Sequence, residues 1–391
     1  MKSLPTLLLC IMTIGSSIVC NAEQPAIKIG ALYNITGDMA PIDLPASRGS
    51  RLAAKRIDEK GGLLDGKTLE LIVVDTKTDM KEASKAAEQL VSMGVAAGLG
   101  YGDTDSVLAA GPVFQQHGIP FLTSGATDPF LPEEIGPCLF MVSFGDDDQA
   151  RAMAEFAYAT LGTRNAAIWT NGSSRFTKIL SKFFKERYRS LGGNVLEDRS
   201  FDAGQTDFSA FIQSLKKSSP RPDVLFISGL PSDAVPTVGQ VRKAGIRLPI
   251  LSGDGFDADL IERLPQPEEA DGVYFSTHDY RGSNRPEVTA FVDAYEKEYG
   301  KAPENAFAAL GYDAVNLLAD AVNRAKTTEP KAVAKALAET HDFKAVTGEI
   351  SFTRPGRAPV AIIGIPNGTY RLMKTWTGGN HTLPRRDPAT K

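Results

Sequence analysis

Apolar and polar positions alternate along this chain in two rhythms. Short apolar runs recur at Ala26–Tyr33, Thr68–Asp75, Val95–Gly100, Ile119–Thr123, Ala166–Asn171, Asp223–Gly229 and Leu248–Gly253. Their length and uniform apolarity predict strands covered on both sheet faces. The segments between them follow the helical period. Phe208, Phe211, Ile212 and Leu215 fall at i, i+3, i+4 and i+7, and Ala83, Ala86, Ala87 and Leu90 repeat the pattern. Each set places one apolar stripe on one helix face. Gly61, Gly94, Gly118, Gly162, Gly192, Gly245 and Gly300 each follow a helical segment, where a residue of positive φ commonly ends the helix. Strand, helix, strand in repetition predicts an α/β fold with parallel sheets.

The second half changes style. Leu139–Phe144 reads as a strand and leads into Gly145-Asp146-Asp147-Asp148, whose acids suit a helix N-terminus. A lobe crossover is placed here. Three helices follow Phe275, at Pro286–Tyr299, Asn305–Ala325 and Lys331–His341. Strands at Ala345–Phe352 and Val360–Ile365 precede Gly368–Trp376 and a polar tail after Gly378.

The first 22 residues have a different character. Lys2, the apolar stretch Leu7–Val19 and the small-residue exit Cys20-Asn21-Ala22 form an export leader, with cleavage expected after Ala22. The competing reading makes Cys20 a lipidated terminus, but Val19 is bulkier than the residue usually found before such a cysteine. Cys138 is then the lone cysteine of the mature chain, so no internal disulfide is expected. The remaining length accommodates two domains. A net charge of −4 without a long basic run argues against nucleic acid.

Four segments after strands carry polar groups suited to a small molecule. Thr123-Ser-Gly-Ala-Thr127 is a run of small residues. Small side chains admit close approach to the backbone, and the threonines and serine add hydroxyls. Gly125, Ala126 and Thr127 are therefore candidate ligand-binding residues. Gly98-Leu-Gly-Tyr-Gly-Asp-Thr-Asp105 lacks dinucleotide spacing and fits an anion at a helix start near Thr104, or a simple capping turn. Neighbouring parallel strands release their loops on one sheet edge, so Thr104 and Thr127 can converge. Asp254, flanked by glycines in Ser252-Gly-Asp-Gly-Phe-Asp257, is placed to pair with an ammonium, with helix capping or a calcium loop as alternatives, although the acids lack EF-hand spacing. Asp257 is the candidate cap for a helix at Asp259–Leu264. In Asn171-Gly-Ser-Ser-Arg-Phe176 the ring of Phe176 either covers a ligand or joins the core. No nucleophile elbow, P-loop or zinc-protease helix is present, and the four histidines lack ligand spacing. His117, directly before Gly118, suits a helix C-terminus. No metal, cofactor or catalytic residue is expected.

Taken in order, these segments resemble the exported leucine/isoleucine/valine-binding proteins, the substrate-binding components of branched-chain amino-acid ABC transporters. The resemblance runs from Ile27 to about Trp376. It rests on Gly30-Ala-Leu with Thr36-Gly37, Gly61-Gly62 before Val73-Val74-Asp75, Gly118-Ile-Pro with the following Thr-Ser-Gly-Ala-Thr, Ala244 to Asp257, and Ala306-Phe-Ala-Ala-Leu-Gly-Tyr-Asp-Ala314. It implies two Rossmann-like lobes with parallel-rich sheets, joined by three hinge crossovers around a closing cleft. The expected division is 1–22 leader, 23–144 plus 277–353 lobe 1, 145–276 plus 354–377 lobe 2, and 378–391 tail. By the same resemblance Thr104 binds a ligand carboxylate, Gly125 and Thr127 give backbone and hydroxyl contacts, and Asp254 meets the ammonium. Phe176 sits where many members carry tyrosine. Ile42, Asp103, Leu230 and Tyr312 stand at wall positions.

The reading is a periplasmic, non-catalytic protein that captures an amino acid or related zwitterion and delivers it to an inner-membrane ABC permease. The alternatives are the same fold holding an aromatic acid, amide or urea-type solute, or a ligand-sensing module for a receptor.

Overall fold

The computed structural model describes residues 26–258, 260–353 and 359–377. The export leader and the polar tail lie outside these residues. The chain opens with β1 (Ile27–Tyr33), α1 (Ala40–Glu59), β2 (Leu69–Asp75), α2 (Met80–Ser92), β3 (Ala97–Gly100), α3 (Thr104–Gln116), β4 (Phe121–Thr123), α4 (Leu131–Ile135) and β5 (Leu139–Met141). These strands form one five-stranded parallel sheet in the order β2-β1-β3-β4-β5. The stripe of α2 is buried as its spacing requires: Ala83, Ala86, Ala87 and Leu90 all face the core. All seven glycines expected to end helices have positive φ, between 64° and 103°.

The next stretch runs through α5 (Asp146–Glu155), β6 (Asn165–Asn171), α6 (Arg175–Ser190), β7 (Asn194–Phe201), α7 (Ser209–Lys217), β8 (Val224–Ser228), α8 (Pro231–Lys243), β9 (Ile250–Ser252), α9 (Leu260–Arg263) and β10 (Val273–Thr277). Its strands build a seven-stranded sheet, β14-β13-β10-β9-β8-β6-β7. Strands β7, β6, β8, β9 and β10 pair in parallel, while β13 and β14 are antiparallel additions. Between β10 and β13 the chain returns to the first sheet as α10 (Pro286–Tyr299), α11 (Phe307–Ala325), α12 (Pro330–Ala338) and the hairpin β11 (Phe343–Ala345) and β12 (Gly348–Ile350). It then re-enters the second sheet as β13 (Val360–Gly364) and β14 (Arg371–Trp376). The chain thus passes between the two layers three times.

Three strands escape the apolar-run criterion. β7 is an edge strand with half-exposed side chains, so it lacks the run that a covered strand shows. β10 and β14 mix polar and apolar residues. The single strand expected over Ala345–Phe352 is instead one arm of a hairpin. Buried Asp313 on α11 fixes its turn, accepting the Val346 and Thr347 N–H groups, each at 2.9 Å, and the Thr347 hydroxyl at 2.8 Å.

The returning helix α11 crosses α1 at very short range. A Cβ on Gly49 would overlap the Ala308 carbonyl oxygen, and one on Gly311 would overlap that of Ala46. The Ser50 hydroxyl donates to the Gly311 carbonyl at 2.9 Å and pairs with the Tyr33 hydroxyl at 2.6 Å. This crossing sets the position of the α11 N-terminus, where Phe307 enters the cleft between the sheets.

Candidate functional site

The carboxyl ends of β3 and β4 in one sheet face those of β9 and β10 in the other. After β3, Gly100 takes a φ of 140° against the Leu32 carbonyl, and Tyr101 follows at 59°. Only glycine fits the first of these positions. The turn aims the chain into α3, whose N-cap is Asp103, accepting from Asp105 N at 3.0 Å and Ser106 N at 3.1 Å. Thr104 is the first helical residue. Its Oγ1 is buried and without a hydrogen-bond partner.

Asp43 on α1 braces this turn. It accepts Gly102 N at 2.7 Å and Asn34 N at 2.8 Å, and Asn34 in turn donates to Asp103 at 3.1 Å. Burial, reinforced by the nearby Asp103, pushes the Asp43 carboxyl up to about 7. Burial likewise raises Asp103. Asp103, expected on the pocket wall, is therefore spent as a helix cap.

The loop after β4 closes largely on itself. Gly125 N donates to the Tyr101 carbonyl at 3.1 Å, and Ala126 N to the Thr123 hydroxyl at 3.0 Å. The Ala126 carbonyl accepts the Ser143 hydroxyl at 2.7 Å. The N–H groups of Gly125 and Ala126 are thus used within the protein. What they contribute is space: a Cβ on Gly125 would stand 2.8 Å from the Phe307 ring. Thr127 keeps a side chain toward the acids of the opposite side, with Gln149 Nε2 at 3.4 Å from its hydroxyl.

On the second sheet, Asp254 begins a single 3-10 turn after β9 and is buried. Gln149 reads it twice, donating Nε2 to Oδ1 at 3.0 Å and accepting the Asp254 N–H at 3.1 Å. His278 Nε2 pairs with Oδ2 at 2.9 Å. The imidazole is stacked on Phe144 at 3.9 Å and meets Phe307 edge-on at 5.7 Å. Gln149 also donates to Asp146 Oδ1 at 2.8 Å and accepts the Ser276 hydroxyl at 2.7 Å. Asp146 is fully buried, and its Oδ2 has no partner. Burial pushes this carboxyl well above the usual carboxylate range; Asp254 adds to the push, against the Thr127 hydroxyl and the Gln149 amide.

The apolar side of the site joins Ile42 and Phe307 across Gly102, whose missing Cβ would lie 2.8 and 3.2 Å from them. Leu230 packs against the cores of both sheets. Phe176 is buried in the second core, its ring edge 3.4 Å from where a Gly255 Cβ would be, next to Asp254. The core reading of Phe176 is what the packing shows. Tyr312 is not brought to the group. It sits in the α1–α10–α11 cluster, 5.1 Å from the Phe291 ring.

Sequence reasoning missed Asp43, Asp146, Gln149, His278 and Phe307. The acidic triplet does start α5, but Asp146 and Gln149 lie at i and i+3 and share its inward face, a spacing that could have revealed them. His278 was hidden because it follows β10, a strand the apolar runs did not show. Asp257 makes a tertiary contact. Its Oδ2 accepts the Thr277 hydroxyl at 2.5 Å and Ala306 N at 3.1 Å, tying the start of α11 to the second sheet. His117 caps α3 as expected, with Nδ1 2.9 Å from the Val113 carbonyl.

The two layers also meet at the cleft rim. Arg175, at the start of α6, reaches Asp128 at 2.6 Å and Glu134 at 2.6 Å, both beyond β4. The Phe130 and Phe183 rings stack at 6.2 Å beside them. Among the described residues, no cluster of three His, Cys, Asp or Glu is placed to hold a metal, and no helix is long and apolar enough to cross a membrane.

Residues 26–366 match the periplasmic binding protein family. A Leu/Ile/Val-binding protein homolog from Brucella melitensis is 25% identical over 330 residues, covering 84% of this chain and 87% of the relative. A leucine-binding protein from Thermotoga maritima superposes with a TM-score of 0.83 at 30% identity, covering 90% of this chain and 99% of its own. A branched-chain amino-acid transporter substrate-binding protein from Streptococcus pneumoniae, solved with isoleucine, gives 0.83 at 29% identity, covering 91% and 100%.

Proposed function

Since this chain belongs to the periplasmic binding protein family, we propose that it captures a free amino acid or a close zwitterionic relative between its two lobes and passes it to an inner-membrane ABC permease. Members of this family are solute binders, not enzymes. One observation carries the ligand assignment. Among the described residues four buried side-chain atoms lack partners, and two of them belong to this site: the Thr104 hydroxyl oxygen at the head of α3, and a carboxylate oxygen of Asp146, whose backbone N–H bonds the Thr127 carbonyl. Buried polar atoms are nearly always satisfied, so an orphaned donor and an orphaned acid point to a bound molecule. The hydroxyl and helix start suit a carboxylate, and the acid suits an ammonium.

The small residues Gly102 and Gly125 let the ligand backbone approach, while Ile42, Phe307, Leu230 and Phe176 surround its side chain. This enclosure favours an apolar side chain of modest size. The Streptococcus pneumoniae relative solved with isoleucine supports the same reading. Export by the leader at 1–22, and the division into lobes 23–144 plus 277–353 and 145–276 plus 354–377, belong to this proposal.

A thermal-shift screen of the twenty proteinogenic amino acids against benzoate, acetamide and urea tests it. A ligand at 100 times its dissociation constant stabilises by about 2.7 kcal/mol, so a tight amino acid should raise the melting temperature by several degrees. A shift with benzoate or the amides, and none with any amino acid, would overturn the reading.

A further inference from the structure

We propose that Asp257 is a positioning residue for side-chain selectivity: reaching out of the second sheet, it supplies the negative charge at the start of α11 and so holds Phe307 against the ligand when the lobes are closed. This rests on the two-lobe amino-acid reading above. Helix α11 needs an outside partner. It is 19 residues long, has no acid in its first turn, and its N-cap residue, Ala306, brings no side-chain acceptor. Such a helix end carries unpaired N–H groups and partial positive charge. Asn305 Oδ1 takes the Phe307 N–H at 3.2 Å. The Ala306 N–H goes to Asp257, whose Oδ2 stands 3.1 Å away and also accepts the Thr277 hydroxyl at 2.5 Å.

The two ends of this bond are anchored in different layers. Helix α11 is fastened to the first: Asn305 Nδ2 donates to the Pro41 carbonyl at 2.9 Å, and the Gly311 carbonyl accepts the Ser50 hydroxyl at 2.9 Å. Asp257 is fastened to the second, since Thr277 lies on β10 and is paired with Ala361 of β13. Moving the layers apart therefore parts Asp257 from Ala306. Asp257 also borders a pocket, together with Asp279, Arg281, Glu304 and Tyr370. Water entering there takes over the carboxylate, so opening strands no bare charge and the tie is reversible.

Phe307 follows Ala306 directly. Its ring stands 3.2 Å from where a Gly102 Cβ would lie and 2.8 Å from that of Gly125, and it meets His278 edge-on at 5.7 Å. With Asp257 in place, the head of α11 is fixed from both layers and the ring has one position. Without it, the first layer alone holds the ring. The hydroxyl and carboxylate contacts to the head group do not pass through Phe307, so Asp257 controls discrimination between ligand side chains.

The test uses the full chain and two probes: the amino acid giving the largest shift in the twenty-member screen, and glycine, which has no side chain to meet Phe307. Thermal-shift titration gives the dissociation constant of each. Asp257→Ala should lose about 30-fold in affinity for the first probe and about threefold for glycine, narrowing the preference about tenfold. Asp257→Asn keeps a side-chain oxygen for the Ala306 N–H and should stay within about threefold of wild type for both. Phe307→Ala should narrow the preference as well, and the double variant no further, because both changes act through one ring. If Asp257→Ala does not fold, Ala306→Pro removes the donor instead, at a φ of −68° that proline adopts, and should narrow the preference alike. An unchanged preference in Asp257→Ala or Ala306→Pro, equal losses for both probes, or glycine as the amino acid of largest shift overturns the assignment. If no amino acid shifts the melting temperature, the amino-acid reading itself falls, and this inference with it.

Discussion

Replacing Arg175 by alanine should weaken ligand binding while leaving both lobes folded. Arg175 stands at the start of α6 and bonds across the cleft to two acids beyond β4. The two bonds differ in worth. Glu134 has half its side chain in water (48% exposed), so its pair with Arg175 contributes at most about 1 kcal/mol. Asp128 is fully buried (0% exposed), with Oδ1 on Phe130 N at 2.9 Å and Oδ2 on the guanidinium at 2.6 Å. Breaking a fully buried pair costs about 3–5 kcal/mol. Arg175 itself is 29% exposed, which reduces that figure to about 1.5–3 kcal/mol.

This cost falls on the closed form alone, because separation of the lobes returns Asp128 to water. Destabilising the binding-competent state raises the apparent dissociation constant by the same factor, here roughly 10- to 100-fold. The assay is isothermal calorimetry with stopped-flow dissociation: the rate of release should rise with the loss of affinity, and the thermal midpoint of the unliganded protein should change little. Arg175→Lys should recover only part of the effect, since a compact ammonium cannot span two carboxylates as a guanidinium fork does. An Arg175→Ala protein with wild-type affinity and an unchanged dissociation rate would refute the clasp.

Two further outcomes concern stability. Gly49→Ala places a methyl on the Ala308 carbonyl at the α1–α11 crossing; it should cost about 1–3 kcal/mol, read as a lower urea midpoint, and a neutral substitution would mean the helices are not so close. The buried acids Asp43 and Asp279 are raised to about 7, and Asp313 to about 6, in each case first by burial. For these groups the folded state holds protons that the unfolded chain releases, so their contribution makes stability fall as pH rises from about 4 to about 7. Asp75 and Glu304, whose carboxyls are lowered, oppose this only in the acid part of the range. Urea midpoints at pH 5 and 7 should show the decline, and Asp43→Asn should flatten it; a midpoint that climbs between these values would contradict the account.

Much of the architecture is local in origin and could be read directly. A helix stripe, a glycine of positive φ and a short apolar strand each depend on residues a few positions apart. The stripe of α2 and the seven helix-ending glycines therefore matched the structure. Edge strands such as β7 were hidden because one side faces water and the apolar run disappears. The turn before Thr104, the small-residue loop at Thr123–Thr127 and the placement of Asp254 after a strand were also legible, because ligands in α/β sheets gather beyond strand ends.

What the sequence could not determine is which distant groups share the cleft. Gln149 touches residues from three other segments, Thr127, Asp254 and Ser276, and His278 reaches Asp254 from beyond β10. None of these pairings has a fixed spacing along the chain. Asp257 illustrates the limit: its sequence neighbours suggest only a local helix cap, and packing brings Thr277 and Ala306 onto one oxygen of its carboxylate. Tyr312 illustrates it in reverse, since the helix that carries it turns it toward Phe291 rather than the cleft. Periodicity and capping are properties of neighbouring residues and survive in any sequence that encodes them. The assignment of donors and acceptors in a buried site depends on the two sheets meeting, and only that meeting decides that Gln149 joins Asp254 to Asp146 and that His278 falls on Asp254.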